Sequence, residues 1–377
     1  MNQQNNFPNL PIEDTAENLT NTTEEKAVSD KSKKKKSKVK KVLLWILIVL
    51  LVLILSGVVT VAVLIQKGKT SLLNTGSMNM NPGSIISDVV VEDDGKTIEY
   101  QGKKYVYNEN MTAILCIGVD KENISDSIGL QGNNGQADAL FLYAMDTSTG
   151  KSTVIPIPRD AMVDVDMYSG SGQYLSSSKK QLCLSYAYGD GKQSSCENTI
   201  KSVSRLFYGL PINSYVAIDL KAIEVLSKKV GGVPVVPNED FSYNGYNFYK
   251  GREMLLNGIQ ARVFVQGRDQ SKLDSSLNRM ERQKQFVTSF FNKAVSKTKQ
   301  NITFPIDVFK STTDYMITDI DVAEVSFLAS CVIKNSIGLE YKSIKGDMVK
   351  GEKYAEYHVD DESVYNTIVE VFYKTVS

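Results

Sequence analysis

Asp120, Asp138 and Arg159 each stand at the end of a short apolar run, which is where charged side chains can do chemistry. Within residues 111–160 the runs 114–119, 139–145 and 153–157 are separated by Gly, Asn and Ser turn chemistry. Runs of that length suit strands buried on both faces. Polar groups at strand ends then lie at the sheet rim, where open α/β folds place their sites. Asp120, Asp138, Arg159 and Asp160 are therefore expected to share one cleft. A later segment, GRDQSKLDSSLNRMERQ, adds Arg268, Arg279, Arg282 and Gln283. Two carboxylates without His or Cys are hard oxygen donors that suit Mg²⁺ or Mn²⁺, completed by substrate phosphate oxygens. Guanidinium forks complement phosphate. A metal with arginines and no protein nucleophile describes phosphoryl transfer, in which catalysis is mostly positioning and charge neutralisation. The same residues are equally compatible with ordinary surface ion pairing, and charges of alternating sign at a helix start with a solvated face.

Other chemistries have poor raw material. The chain of 377 residues has zero formal net charge, one histidine, His358, and four cysteines with no CxxC. That argues against a nucleic-acid partner, a zinc site and a histidine-dependent triad.

The groups must be held outside a membrane. Residues 1–30 are poor in apolar groups and read as disordered. Residues 31–41 (KSKKKKSKVKK) carry eight lysines, and residues 42–65 contain no charge. At ~1.5 Å per residue that run is about 36 Å long, enough to cross a hydrocarbon core with some tilt. No signal-peptide cleavage pattern accompanies it. The positive-inside rule puts residues 1–41 in the cytoplasm and everything after residue 66 outside. The chain thus divides into a cytoplasmic tail (1–41), a transmembrane helix (42–65), a tether and β-hairpin lead-in (66–110) and a catalytic domain (111–377). The motifs of that domain lie in 111–300, and 301–377 is packing.

Beyond the central stretch, 170–180 reads as a mobile loop. Ile200, Val203 and Phe207 mark a helix, 215–220 a strand, Ile223, Leu226 and Val230 a second helix, and 233–236 another strand. Residues 251–258 read as a short helix, 261–266 as a strand, and Val287, Phe290, Phe291 and Ala294 as the apolar stripe of a long helix. Further helices are expected around 322–333 and 365–372. The alternation implies α/β architecture, a central mixed sheet sandwiched between helices. Cys183 and Cys196 flank a turn outside the membrane, so a disulfide is expected there, contributing about 3 kcal/mol for a loop of about 15 residues. Cys116 and Cys331 read as buried thiols.

Through ILCIGVD, QADALFLYAMD, IPIPRD, SYAYGDG, VGGVPV, the GRD segment and RMERQ, in that order, the sequence resembles the LytR-CpsA-Psr family of membrane-anchored enzymes that attach glycopolymers to bacterial cell walls. The resemblance covers the membrane topology and roughly residues 111–300. It implies an α/β/α fold with an apolar slot for a polyprenyl chain, and transfer of a glycan from a polyprenyl pyrophosphate carrier to a peptidoglycan hydroxyl. Membrane lipid and peptidoglycan are the implied partners. By position, Asp120 and Asp138 look like the metal-holding carboxylates, with either able to serve as general base. Arg159 and Arg268 look like pyrophosphate binders, with Gln283 near the phosphates, Asp160 orienting Arg159, and Arg279 and Arg282 as further contacts.

The chain departs from the family pattern where Gln136 and Gln266 stand in place of arginines and Gln181 in place of a lysine. The residues around the second aspartate are Ala137 and Ala139 instead of Ser and Thr. Gln136 and Gln266 remain candidate pyrophosphate contacts. Their neutrality keeps two other functions open: a non-catalytic sensor or scaffold that binds lipid-linked glycan, and a hydrolase of the same pyrophosphate.

Overall fold

The computed structural model describes residues 18–73, 78–83, 85–126, 134–268, 273–334 and 338–376, and it divides into two compact units, 1–62 and 63–377. The expected disorder of residues 1–17 lies outside the described residues. The rest of the tail differs from expectation, because helix α1 (Asn18–Leu72) takes in the lysine cluster, the apolar run and the start of the predicted tether. Within it, Lys40–Leu72 is long and apolar enough to cross a membrane.

Residues 63–377 begin with the end of α1. Leu72 is buried with Phe327 and Cys331 of a later helix, Ser71 donates to Glu324 at 2.6 Å, and Lys67 pairs with Asp321 at 2.9 Å. The segment read as a tether is also anchored, since Met78, Met80 and Ile86 join the main core. The lead-in then forms β1 (Val89–Glu92), β2 (Thr97–Tyr100) and β3 (Lys103–Tyr107), an antiparallel set as expected. Its last strand is completed by the chain terminus, so it belongs to the domain it precedes.

The three apolar runs become β4 (Met111–Val119), β5 (Ala137–Asp146) and β6 (Lys151–Pro156). They pair as an antiparallel meander. The end of β4, the start of β5 and the end of β6 therefore lie on one edge, which brings Asp120, Asp138 and Arg159 together. A register shift between Gly118 and Val119 bends β4 just before Asp120, a common device beside sites. A Cβ on Gly118 would lie 2.9 Å from the Ala139 Cβ, so the close approach at this bend requires glycine.

The chain continues through β7 (Met162–Tyr168), β8 (Tyr174–Gln181), α2 (Leu184–Ala187), α3 (Gln193–Leu206), β9 (Ser214–Ile218) and α4 (Leu220–Lys229). Small hairpins follow, built from β10 (Val233–Val235), β11 (Phe241–Tyr243), β12 (Tyr246–Phe248) and β13 (Met254–Leu256). Next come α5 (Ile259–Gln266), α6 (Ser275–Gln300), α7 (Phe304–Thr312), β14 (Met316–Thr318), α8 (Val322–Lys334) and β15 (Glu340–Tyr341). The hairpin of β16 (Gly346–Lys350) and β17 (Ala355–Val359), then α9 (Asp361–Phe372) and β18 (Tyr373–Thr375), close the chain. The central sheet has the order β14-β9-β4-β5-β6-β15, with β4–β9 and β6–β15 parallel and the rest antiparallel.

One face of this mixed sheet carries Ala113, Leu115, Ile117 and Leu142, packed with Val203 and Leu206 of α3 and Ile368 of α9. The other, with Cys116, Phe141, Tyr143 and Val216, looks across a cavity toward α4 and α6. This is the expected α/β/α arrangement.

Four local expectations fail. The segment expected to be a mobile loop is largely β8, paired along its length with β7. The predicted helix 251–258 contains β13, and the predicted strand 261–266 is α5. Cys183 and Cys196 are free thiols, both fully buried and on different tasks. Cys196 packs in the main core, whereas the Cys183 sulfur accepts from Arg159 Nη2 at 2.9 Å. Alkylation without reductant should therefore leave both cysteines unlabelled in the native protein and label both after denaturation. A Cys183–Cys196 cross-linked peptide in the mass spectrum would contradict this.

Candidate active site

Asp138, in the first turn of pairing on β5, is the hub. Its Oδ2 accepts from Arg279 Nη1 at 2.8 Å, Arg279 Nη2 reaches the Asp138 carbonyl at 3.2 Å, and Oδ1 accepts from Arg159 Nη1. The side chains of Arg279, Arg159 and Asp138 are only 4 %, 12 % and 18 % exposed, so the pairs are largely desolvated. Arg159 follows β6 and Arg279 comes from the second turn of α6, so one carboxylate joins strand, loop and helix.

Around this hub each group has its own holder. Gln136 Oε1 accepts from Arg159 Nη2 at 2.6 Å. Asp160 Oδ1 lies 3.4 Å from Arg159 Nε, an ion pair without a hydrogen bond to that nitrogen, and accepts from Gln181 Nε2 at 2.9 Å. Burial pushes the Cys183 thiol up to about 11, which keeps it a neutral acceptor beside Arg159. Neither Gln181 nor Cys183 carried a sequence signal for these roles.

Asp120 shares the cavity with Asp138 but has a different environment. Its amide donates to the Gln136 carbonyl at 3.0 Å, while its carboxylate has no side-chain partner among the described residues. Partial desolvation, then the nearby negative Asp138, raise its pKa against the pull of Arg279, Arg159 and Arg268. Arg268 shows the opposite strain, since burial and the like charges of Arg279 and Arg159 lower its pKa. Among the described residues neither side chain has an ion-pair partner within 4 Å, although Asp138 and Asp160 pull on Arg268 as the arginines do on Asp120.

The cavity beside these groups measures about 380 Å³. Its walls are apolar, with Ile223 and Leu226 of α4, Phe286, Val287 and Phe290 of α6, and Phe141 and Tyr143 of β5. Its polar end holds Asp120, Asp138, Gln266, Arg279 and Gln283. Gln266 Oε1 is buried without a hydrogen-bond partner, and Gln283 Nε2 donates to the Val265 carbonyl at 3.1 Å. Asp219 also lines the wall, but its oxygens accept from Ala222 N at 2.8 Å and Ile124 N at 3.1 Å, which makes it the cap of α4.

Arg282 does not join the site. Its Nη1 pairs with Glu239 at 2.6 Å, Nη2 donates to the Gly267 carbonyl, and the guanidinium sits 4.2 Å over the Phe241 ring. The helix spacing from Arg279 turns it to another face, where it holds the small hairpins.

Comparisons with known proteins enter at this point. The LytR_cpsA_psr family model matches residues 80–370. A polyisoprenyl-teichoic acid–peptidoglycan teichoic acid transferase TagU of Oceanobacillus iheyensis is 26% identical over 316 residues, covering 82% of this chain and 90% of its own. The TagU of Bacillus licheniformis is 24% identical over 264 residues, covering 70% and 78%. Among solved structures, TagV of Bacillus subtilis aligns with a TM-score of 0.54 at 21% identity, covering 69% of this chain and 96% of its own. A Streptococcus agalactiae protein aligns at 0.58 and 18%, covering 71% and 91%. These structures share the fold.

The two aspartates should behave differently when neutralised. Asp138→Ala removes the ion-pair partner of largely buried Arg279 and leaves Arg159 with only the 3.4 Å contact to Asp160, and should destabilise the domain by about 3–5 kcal/mol. Asp120→Asn should instead raise the melting temperature at pH 7. A raised pKa means that the folded chain binds more protons than the unfolded one, so the cost of Asp120 is fully present above its folded pKa. The gain should shrink as the pH falls through that pKa toward the ordinary aspartate value of about 4. Thermal denaturation of both variants from pH 4 to 8 tests the pair; equal losses would contradict it.

Proposed function

Because the chain belongs to the LytR-CpsA-Psr family, we propose that it is a phosphotransferase that moves a glycopolymer from a polyprenyl pyrophosphate carrier to a peptidoglycan hydroxyl. The observation that carries this reading is an apolar cavity whose polar end holds Asp120, Asp138 and Arg279, with Arg159 and Arg268 close enough to act on the Asp120 charge. An apolar tail with a charged phosphate head fits that division. The cavity volume of about 380 Å³ suits the first isoprene units, with the remainder of the chain left in the bilayer. The lysine cluster before the span supports a cytoplasmic N-terminus and an outward-facing domain.

The charges support a divalent ion. Arg159, Arg268 and Arg279 face Asp120, Asp138 and Asp160, so the cluster has no excess positive charge for a doubly charged pyrophosphate diester. Mg²⁺ or Mn²⁺ would supply it. Among the described residues no group of three or more His, Cys, Asp or Glu could hold a metal, so protein ligands alone do not complete a shell. The fit is to an ion held by two carboxylates and finished by water and phosphate oxygens. Among the described residues the Asp120 carboxylate has no side-chain partner, and Asp138 retains a second lone pair on each oxygen after binding its arginines. When bound, the ion would offset charge on the phosphates.

The protein groups carry the remaining steps. Arg268 and Arg279 bind the pyrophosphate oxygens, and Arg159 is held toward them by Gln136 and Asp160. An acceptor hydroxyl attacks the phosphorus bonded to the glycan, and the bond from that phosphorus to the bridging oxygen breaks. Polyprenyl phosphate leaves with the bridging oxygen. Asp120, whose carboxylate has no side-chain partner among the described residues, takes the hydroxyl proton. Exclusion of water by the cavity wall favours the sugar hydroxyl over hydrolysis.

The full chain in detergent, supplied with a polyprenyl pyrophosphate-linked glycan, peptidoglycan fragments and Mg²⁺, should attach the glycan to the fragments. Free glycan phosphate as the sole product would make the protein a hydrolase, and binding without turnover would make it a sensor. Arg268→Ala should lower kcat/KM about 10- to 150-fold, the equivalent of one charged hydrogen bond of about 1.5–3 kcal/mol. Separately, millimolar Mg²⁺ should raise the melting temperature of the wild type and not of Asp120→Asn. An equal shift in both would remove the metal from Asp120.

A further inference from the structure

The last turns of α1, residues 65–72 (IQKGKTSL), belong to the same compact unit as the apolar cavity. Glycine weakens a helix, and here its place is set by contact, because a Cβ on Gly68 would run into the Ala323 carbonyl at the start of α8. The close approach is fastened on both sides. Lys67 pairs with Asp321 at 2.9 Å, and Ser71 donates to Glu324 Oε1 at 2.6 Å. Glu324 is itself buried, and its Oε2 accepts from the Asp321 amide at 2.6 Å. Leu72, one turn beyond Gly68, is 1 % exposed in a cluster with Met145, Phe327 and Cys331. A flexible tether would need none of these contacts.

Met145 ties this joint to the cavity. Along one face of β5 the alternate residues Ala139, Phe141 and Tyr143 line the space, and the next residue on that face is Met145, fully buried in the cluster. Tyr143 packs against the same cluster, with its hydroxyl 2.8 Å from Ser152 Oγ. At ~3.3 Å per residue, the strand from Asp138 to Tyr143 covers about 17 Å. The α6 wall agrees, since Arg279 to Phe291 covers about 18 Å at ~1.5 Å per residue. The apolar space therefore runs about that depth from the charged cluster and ends against side chains held by α8 and the end of α1.

From these observations we propose that the docked end of α1 braces the floor of the cavity and limits the length of tail that the cavity encloses. Gly68 and Leu72 are then positioning residues that act through α8 and Tyr143. The assignment rests on the reading of the cavity as a slot for a prenyl tail. Loosening the joint lets the floor recede and admits more of the tail.

Two measurements on the full chain in phosphatidylcholine nanodiscs test this. The first is alkylation by N-ethylmaleimide. Cys331 is 2 % exposed in the floor cluster and should be unlabelled in wild type. In Gly68→Val and in Leu72→Ala it should react about tenfold faster, while Cys196 in the main core stays protected and shows that only the joint has opened. Leu72→Ala, which inserts no bulk, carries the test if Gly68→Val does not fold. The second is titration with prenyl pyrophosphates of two to five isoprene units, with partition into empty nanodiscs subtracted. Wild-type affinity should rise with length and then level off. Both variants should level off later, binding the next longer probe about tenfold more tightly than wild type does, the equivalent of two further buried methylene groups. Cys331 unreactive in both variants overturns the joint. A wild-type affinity that keeps rising to the longest probe, or a levelling point unmoved in a variant whose Cys331 reacts, overturns the floor and leaves the transferase reading intact. No binding of any probe by wild type removes the tail slot itself, and this assignment with it.

Discussion

The carboxylate of Asp138 is the constraint on which the site depends. Two guanidiniums that burial would otherwise penalise are tolerated because this one side chain answers both, Arg159 through Oδ1 and Arg279 through Oδ2. The same contacts tie β5 to the loop after β6 and to α6, so the electrostatics and the packing of the domain are set by one residue. Asp120, a short distance along the rim, carries none of this structural duty. That division leaves one carboxylate fixed and the other available.

A sheet face usually buries its side chains against a filled layer. Here one face of β4 and β5 does so, through the main core, while the other faces a cavity walled by α4 and α6. The space persists because the wall is set by groups that cannot collapse inward. Asp219 caps α4 and also holds the Ile124 amide, and Arg279 anchors α6 on Asp138. The charged cluster and the empty apolar space are therefore coupled. The interactions that bring a helix to the rim also hold it away from the sheet.

The central meander and the convergence of Asp120, Asp138 and Arg159 were legible because short β-branched runs bounded by turns leave few alternatives, and antiparallel pairing sends alternate ends to one edge. The segment 261–266 was misread as a strand. Its short apolar run is compatible with either element, and only packing against α4 and α6 selects the helix. Arg282 was misplaced for a related reason, since residues three apart on a helix share a face only approximately, and Glu239 captures this one. Ser- and Lys-rich β8 lacks apolar alternation because most of it is exposed, so pairing with β7 left no pattern to detect. The cysteines flanking the turn suggested a bridge by spacing alone, whereas the orientation that sends Cys183 toward Arg159 is a tertiary fact.

The two glutamines then take on a consistent physical meaning. An arginine at position 136 would stand beside Arg159 as a like charge; Gln136 instead offers a carbonyl oxygen at 2.6 Å, so a phosphate-binding cation is exchanged for a firmer hold on the one that remains. Gln266, at the polar end of the cavity with an unpartnered oxygen, offers a neutral group where a guanidinium would bring charge. Arg268 remains as a cation whose charge is disfavoured by burial and by Arg279 and Arg159, against the pull of Asp138 and Asp160. On the proposed reading, a pyrophosphate here would meet fewer fixed positive charges, and a divalent ion at Asp120 would supply the difference. Substitution in this direction therefore does not by itself remove the chemistry. On that reading it would shift the balance from guanidinium toward metal.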